Sequence, residues 1–370
     1  MDSEDDSDTE DTMQHTKLIL IGGFLGAGKT SLMARAAEIL KGQGKTVGLI
    51  TNDQASDLVD TAILTDRKNE VREVSGSCFC CNYPGFADAI DDLTEKTHCD
   101  ITLAEPVGSC TDLSATIMQP TKDKYAQVID LAPLTVLADP ERLRAILDGV
   151  YSTASYIITR QFDEADIILV NKIDLLEDEE TAELQARAQE HWPHAQVLAA
   201  SVKEGTGIEE WLAAVQTASR AGQNLAVVDY DEYAAGEAAY GWLNLTYALG
   251  KAEAGYAEAA QSLLDALVAG FQEKGVGVGH VKFLLQGSAH AWMGNFTGGA
   301  EPSMLRVEEQ GSEEYSLTVN ARAEMMPLSL EKLVVRAVDA AVDGFEVTDI
   351  RVRVLIPGRP NPTYRYDEVI

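Results

Sequence analysis

Leu18-Ile19-Leu20-Ile21-Gly22-Gly23-Phe24-Leu25-Gly26-Ala27-Gly28-Lys29-Thr30-Ser31-Leu32-Met33-Ala34-Arg35-Ala36-Ala37 decides the fold of this chain. Four apolar residues suited to a buried strand run into a glycine-rich turn, and the turn opens into a helix-like stretch. A GxxxxGKT string in that setting reads as a phosphate cradle. Glycines let backbone N–H groups converge on phosphate oxygens where a side chain would intrude, and the helix N-terminus adds partial positive charge. In this reading Gly23, Gly26, Ala27, Gly28 and Ser31 form the cradle. Lys29 reaches the β- and γ-phosphates of a nucleotide, and Thr30 offers its hydroxyl to Mg²⁺. A bare glycine turn explains neither Lys29 nor Thr30.

Outward from this loop, to about Gln223, apolar strand-like runs alternate with helix-like stretches. The predicted strands are Lys17–Ile21, Thr46–Thr51, Val71–Val74, Ile101–Glu105, Leu134–Ala138, Asp166–Val170 and Gln196–Ala200. Helical patterns fall at Thr30–Lys41, Pro140–Val150 and Glu179–His191. This alternation predicts an α/β fold: a doubly wound, mostly parallel sheet with helices on both faces. Ligands of such sheets sit at the carboxyl ends of the strands. Around Ala221–Asp229 the pattern breaks. Strands at Tyr240–Tyr247, Gly277–Gln286, Ala289–Phe296, Tyr315–Glu324 and Val347–Leu355, with helices at Ala254–Lys274 and Ser329–Asp343, predict a smaller α+β domain of ferredoxin-like type. The expected organisation is an acidic tail over residues 1–16, a nucleotide-binding domain over 17–223 and a second domain over 227–370.

Asn171-Lys172-Ile173-Asp174 follows the strand ending at Val170. A carboxylate placed as Asp174 accepts from both N1–H and the exocyclic amine of guanine, whereas adenine would leave it buried and unpaired. The stem of Lys172 would lie along the base, and Asn171 would brace neighbouring loops. Ser201-Val202 follows the next strand, where a backbone N–H near Val202 would reach the guanine carbonyl. NKxD alone occurs by chance; after a strand, and downstream of a phosphate loop, it selects GTP over ATP and argues against a kinase or ATPase.

Cys78-Phe79-Cys80-Cys81 lies after the strand Val71–Val74. Thiolates are soft ligands that favour zinc, copper(I) or cobalt over magnesium or calcium. Cys78 and Cys80 share a side in an extended segment, and Cys81 joins them only if the backbone turns. Three thiolates leave one tetrahedral position open, which suits a site that hands its metal on. Two alternatives stay open: small buried cysteines in a core, or a structural zinc site completed by Cys99, Cys110 or His98.

The chain of 370 residues carries a net charge of -31, with seven acids between Asp2 and Asp11. That stretch has no apolar anchor and is expected to be disordered. The acidic field disfavours nucleic acid and anionic membrane as partners. No apolar run is long enough to span a bilayer, and five cysteines, three of them crowded together, do not resemble a secreted disulfide framework. A cytoplasmic setting is expected.

With these three strings in order, the chain resembles the CobW/HypB/UreG family of P-loop GTPases, and most closely its CobW-like branch. The resemblance covers roughly Lys17 to Gln223. It implies slow GTP hydrolysis coupled to handling of a transition metal, zinc or cobalt above others. Delivery would be to a client metalloenzyme or a cobalamin or corrinoid pathway protein, and a homodimer is among the expected states. It also implies a magnesium role for Glu105, in Glu105-Pro106-Val107-Gly108, which matches the family's Glu-x-x-Gly element. At Asn52-Asp53-Gln54-Ala55 the chain departs from the family's Asn-Glu-Phe-Gly-like string, and Asp53 keeps a carboxylate on a shorter stem. The second domain lacks the family's usual pattern. Its Gly279-His280-Val281-Lys282 and Trp292 read as a strand-end histidine and a packing tryptophan, and the domain is expected to choose the client. The rival reading is a nucleotide-dependent regulator or scaffold with a structural zinc site.

Overall fold

The computed structural model describes residues 15–53, 70–218, 220–251, 255–287, 290–298, 302–308 and 315–370. The acidic tail over residues 1–14 and the segment 54–69 therefore lie outside the described residues.

The first domain is built on strands β1 (Thr16–Gly23), β2 (Val47–Asp53), β3 (Glu70–Ser75), β4 (Ile101–Glu105), β5 (Ile129–Leu131), β6 (Thr135–Ala138), β7 (Ile167–Val170) and β8 (Gln196–Ala199). They form one sheet in the order β3-β2-β4-β1-β6-β7-β8, with β5 beside the start of β1. All the registered pairs are parallel. Leu18 to Ile21 of β1 are at most 1% exposed, as expected of a strand covered on both faces. Helices α1 (Lys29–Gly42), α2 (Tyr83–Asp91), α3 (Gln119–Tyr125), α4 (Pro140–Leu147), α5 (Ser155–Glu164), α6 (Asp178–His191), α7 (Ile208–Thr217) and α8 (Tyr230–Ala238) surround it. One core joins α1 and α7 to the sheet through Leu32, Met33, Leu40, Trp211 and Leu212. The other gathers Phe79, Phe86, Ile90, Ile157 and Phe162, together with Tyr233 of α8 and Tyr240.

Strand β1 has β4 on one side and β6 on the other. That is where the chain order changes direction across the sheet, and the crevice there opens at the carboxyl end of β1. The glycine-rich turn leaves β1 at this point.

The second sheet comprises β9 (Gly241–Leu249), β10 (Val278–Gln286), β11 (His290–Phe296), β12 (Ser303–Glu308), β13 (Ser316–Ala323) and β14 (Val347–Leu355), in the order β12-β11-β10-β13-β9-β14. Its pairs are antiparallel. Helices α9 (Tyr256–Lys274) and α10 (Pro327–Ala341) share one apolar core with alternate residues of these strands, among them Leu243, Leu245, Val281, Phe283, Val319 and Ala321. The succession β9-α9-β10-β13-α10-β14 is the predicted ferredoxin-like order, widened at one edge by the β11–β12 hairpin. The segment Ser303–Glu308 is not among the predicted strands; the structure pairs it with β11.

After β14 the chain returns to the first domain. The Thr363 N–H donates to the Cys80 carbonyl at 2.8 Å and the Tyr366 N–H to the Ala115 carbonyl at 3.0 Å. Among the described residues, no helix is long and apolar enough to cross a membrane.

Candidate nucleotide and metal site

The glycine-rich turn is held in a shape that requires glycine at Gly23, Gly26 and Gly28. Gly28 stands at φ +103°, and a Cβ there would lie 2.4 Å from the Asn171 side-chain nitrogen. The Leu32 N–H donates to the Gly28 carbonyl at 2.9 Å, so the helix starts directly at the loop. Lys29 and Thr30 are buried, and Ser31 is exposed. The Lys29 ammonium sits 3.7 Å from the Glu105 carboxylate at the end of β4. One pocket takes in Gly26, Gly28, Lys29, Thr30, Ser31, Glu105 and Gly108. Gly23, at the end of β1, packs against Leu137. Asp53 ends β2, and its side chain lies outside the described residues.

The Asn171–Asp174 loop is wired to the phosphate loop. The Asn171 amide donates to the Ala27 carbonyl at 2.8 Å and accepts from the Val202 N–H at 3.1 Å. Lys172 takes a left-handed backbone at φ +62°, and its ammonium pairs with Asp139 at 2.7 Å. The Ser201 hydroxyl donates to the Asp174 carboxylate at 2.7 Å, and Lys203 lies 3.6 Å from it. Asn171, Lys172, Asp174, Ser201 and Val202 are thus brought together at the ends of β7 and β8. Asp139 was missed, although Asp139-Pro140 after a strand signals a helix cap. Burial pushes its carboxyl up, and the charges of Lys172 and Arg142 more than offset that, holding it below the usual range. Arg142 was missed too. It donates to the Leu25 carbonyl of the glycine-rich turn at 2.5 Å and lies over the Phe24 ring.

The three cysteines meet because the backbone turns after Cys78. Its carbonyl accepts from the N–H groups of Cys81 at 3.1 Å and Asn82 at 2.9 Å, and Asn82 then caps α2 through the Gly85 N–H. The Cys78 and Cys80 sulfurs are 3.0 Å apart, those of Cys80 and Cys81 3.8 Å, and all three lie within 4.8 Å of one another. Cys78 and Cys80 are buried and Cys81 half-buried. Of the three residues considered as a fourth ligand, Cys110 is a buried free thiol whose influence falls on Cys78 and Cys80, whereas the sulfurs gathered within 4.8 Å of one another among the described residues are those of Cys78, Cys80 and Cys81. Cys99 is buried elsewhere, against the backbone of Gly48. Hydrogen bonds to the Cys78 sulfur, from Cys110 first and then Cys80 and Cys81, hold that thiol well below its ordinary range. The same bonds push Cys80 and Cys110 up, and Cys81, chiefly through Cys78, up to about 11. Three sulfurs gathered this closely are a donor set suited to a soft metal ion.

Asn52 joins the two sites, and sequence reasoning missed it. It lines the pocket with Lys29 and Glu105. Its amide donates to the carbonyls of Val74 at 2.7 Å and Ser77 at 2.9 Å, and it accepts from the Phe79 N–H at 2.8 Å. Three bonds from one side chain hold the segment that presents the thiols.

Residues 17–199 match the model of the CobW/HypB/UreG nucleotide-binding domain. The zinc chaperone YeiR of Escherichia coli is 30% identical over 190 residues, which are 50% of this chain and 54% of that protein. The zinc chaperone YjiA of the same organism is 33% identical over 86 residues, 23% of this chain and 26% of that protein. The chain thus spans about half the length of the first of these curated relatives and about a quarter of the second. Among solved structures, the hydrogenase maturation factor HypB from Archaeoglobus fulgidus superposes with a TM-score of 0.40 at 19% identity, covering 55% of this chain and 90% of that one. The Zn(II)-bound YjiA GTPase from E. coli gives 0.35 at 17% identity, covering 90% of this chain and 99% of that one.

Proposed function

Through residues 17–199 the chain belongs to the CobW/HypB/UreG family, and from that membership we propose that it is a cytoplasmic GTP-hydrolysing metallochaperone. It couples nucleotide state to the binding and transfer of a thiophilic metal ion, zinc or cobalt, to a client metalloprotein or corrinoid-pathway protein. The observation that carries this reading is the hydrogen bond from Phe79 N–H to Asn52 at 2.8 Å, which ties the cysteine segment to the wall of the phosphate pocket.

Gly23, Gly26, Ala27, Gly28 and Ser31 cradle the phosphates, Lys29 neutralises their charge, and Asn171, Lys172, Asp174, Ser201 and Val202 hold the guanine. Magnesium, when bound, stabilises the charge that develops on the transferred phosphoryl group. Thr30, Asp53 and Glu105 are the residues that would hold it. Positioning and charge stabilisation do most of the catalytic work in this chemistry, so slow turnover follows in the absence of a client. Cys78, Cys80 and Cys81 take the metal cargo.

Zinc binding and phosphate release test the reading together. The purified chain should bind zinc in a way abolished by serine at Cys78, Cys80 and Cys81, and should hydrolyse GTP in preference to ATP. A chain that binds zinc equally well without these thiols, or turns over ATP alone, contradicts it. One observation favours a second reading. Buried Cys110 is the thiol that acts most strongly on Cys78 and Cys80, and a fourth thiolate would close the coordination shell, as in structural zinc sites. The protein would then be a nucleotide-dependent regulator or scaffold.

A further inference from the structure

The second sheet has one face packed on its helices and another that is polar yet buried. Cross-strand partners share a face, and register places Asn295, Lys282, Asn320 and Asn244 in one row across four strands. His280, Arg322 and Trp242 form the next. On this face Trp242 is 2% exposed, Asn320 2% and Arg322 1%. A polar sheet face is ordinarily left to water, so its burial calls for a covering partner.

Part of that cover is the phosphate pocket of the first domain. Trp242, His280, Lys282, Asn295 and Arg322 line the same pocket as Lys29, Thr30 and Glu105. The approach is close. Gly26 stands at φ +79°, and a Cβ there would lie 2.7 Å from the Thr297 methyl and 2.9 Å from the Gly279 carbonyl.

Two features of the pocket ask for an anion. The Trp242 indole N–H is buried without a hydrogen-bond partner, an arrangement that costs free energy until an acceptor arrives. Three cations, Lys29, Lys282 and Arg322, also line it in a chain of net charge -31, and the charge of Arg142 reaches the same strand end. Burial and the charges of Lys282, Arg322, Lys29 and Arg142 together hold His280 well below its ordinary range. Two of these cations come from each domain. Arg322 is committed to its own sheet, donating to the Leu243 carbonyl at 2.8 Å and lying 4.3 Å over the Trp242 ring.

We infer that the second domain forms the far wall of the nucleotide site, where Lys282 and the Trp242 N–H contact the terminal phosphate of a bound nucleoside triphosphate. The contact between domains thereby reads whether that phosphate is present, and this rests on the nucleotide reading given above. The Gly279–Lys282 string, read from sequence as a strand end, is in this account part of the site.

Calorimetric titration with Mg²⁺ and either a non-hydrolysable GTP analogue or GDP tests the inference on wild type, Lys282→Met and Lys282→Arg. A charged hydrogen bond lost to the terminal phosphate weakens analogue binding by ~10- to 100-fold in Lys282→Met, with GDP affinity unchanged and analogue affinity largely restored in Lys282→Arg. Trp242→Phe removes the indole donor together with part of the buried ring that Arg322 overlies, so its readout is the same selectivity for the analogue over GDP; it decides the matter should Lys282→Met fail to fold. Equal loss for both nucleotides, or no loss for either, overturns the inference alone. A wild-type chain that binds neither nucleotide overturns the nucleotide reading and this inference with it.

Discussion

The Asn52 side chain accepts the Phe79 N–H at 2.8 Å, so a residue in the wall of the phosphate pocket holds the loop that carries the cysteines. With its bonds to Val74 and Ser77, it is a polar link between the two sites. Asn52→Ala strands a buried N–H and two carbonyls, so it should cost about 1–3 kcal/mol of stability and raise the reactivity of the cysteines toward thiol reagents. Unchanged unfolding and labelling would mean that the link is idle.

Asp174 is fixed by the Ser201 hydroxyl at 2.7 Å, on the loop whose Asn171 reaches Ala27. Asp174→Asn exchanges an acceptor for a donor where guanine presents donors. GTP binding should fall by ~10-fold or more, and xanthosine triphosphate, which presents an acceptor there, should gain. Competition binding reads this directly, and unchanged preference for GTP over ATP would remove Asp174 from base recognition.

Much of this was legible in the sequence because it is local. The strand–turn–helix around Gly23–Thr30, the Asn171–Asp174 loop and the cysteine string each declare themselves within a dozen residues. The second domain's succession of strand, helix, strands, helix and strand was legible too, short of the strand Ser303–Glu308. What was hidden depends on contacts across the chain. The Cys110 thiol acts on Cys78 and Cys80 from the loop after β4, and no spacing rule reports that. Asn52 drew attention only as the neighbour of Asp53. The helix Tyr230–Ala238 has a mixed apolar pattern, and only Tyr233 and its neighbours in the first core show where it belongs. The polar face of Trp242, Asn244 and Thr246 alternates as an exposed strand face does; its burial is a tertiary fact.

The return of the chain end to the cysteine loop carries its own prediction. Arg365 pairs at 2.7 Å with Asp112, which is fully buried and also accepts from the Tyr230 hydroxyl. Close by, the Asn361 N–H points at the Cys81 sulfur at 3.2 Å. Arg365→Ala leaves Asp112 with one partner, should cost about 1–3 kcal/mol, and should speed labelling of Cys81. Labelling at the wild-type rate would show that residues 357–370 do not shield the thiol.

Buried acids give the fold a pH dependence with a definite sign. Burial raises Glu237 to about 8 from its ordinary 4.5, against a hydrogen bond from Ser109, and burial pushes Glu164 in the same direction. Between those two values the folded chain keeps a proton that the unfolded chain releases. The Glu237 contribution is therefore fully present below the unfolded value and is lost as pH rises through the folded one, by up to ~1.4 kcal/mol per pH unit. Denaturant unfolding from about pH 5 to about pH 8 should show a decline in stability that is shallower in Glu237→Gln. Identical slopes in the two proteins would contradict this.

Nucleotide state and the thiol site are coupled in the proposed function, and zinc affinity reports that coupling. Zinc affinity of the wild-type chain is measured by competition with a chelator, once in GDP and once in a non-hydrolysable GTP analogue, both with Mg²⁺. Coupling free energies between sites typically amount to about 1–3 kcal/mol, so the two zinc affinities should differ by ~5- to 150-fold, and the difference should vanish in Asn52→Ala. Tight zinc binding of equal strength in both nucleotides would contradict the account and leave the cysteines as a structural site.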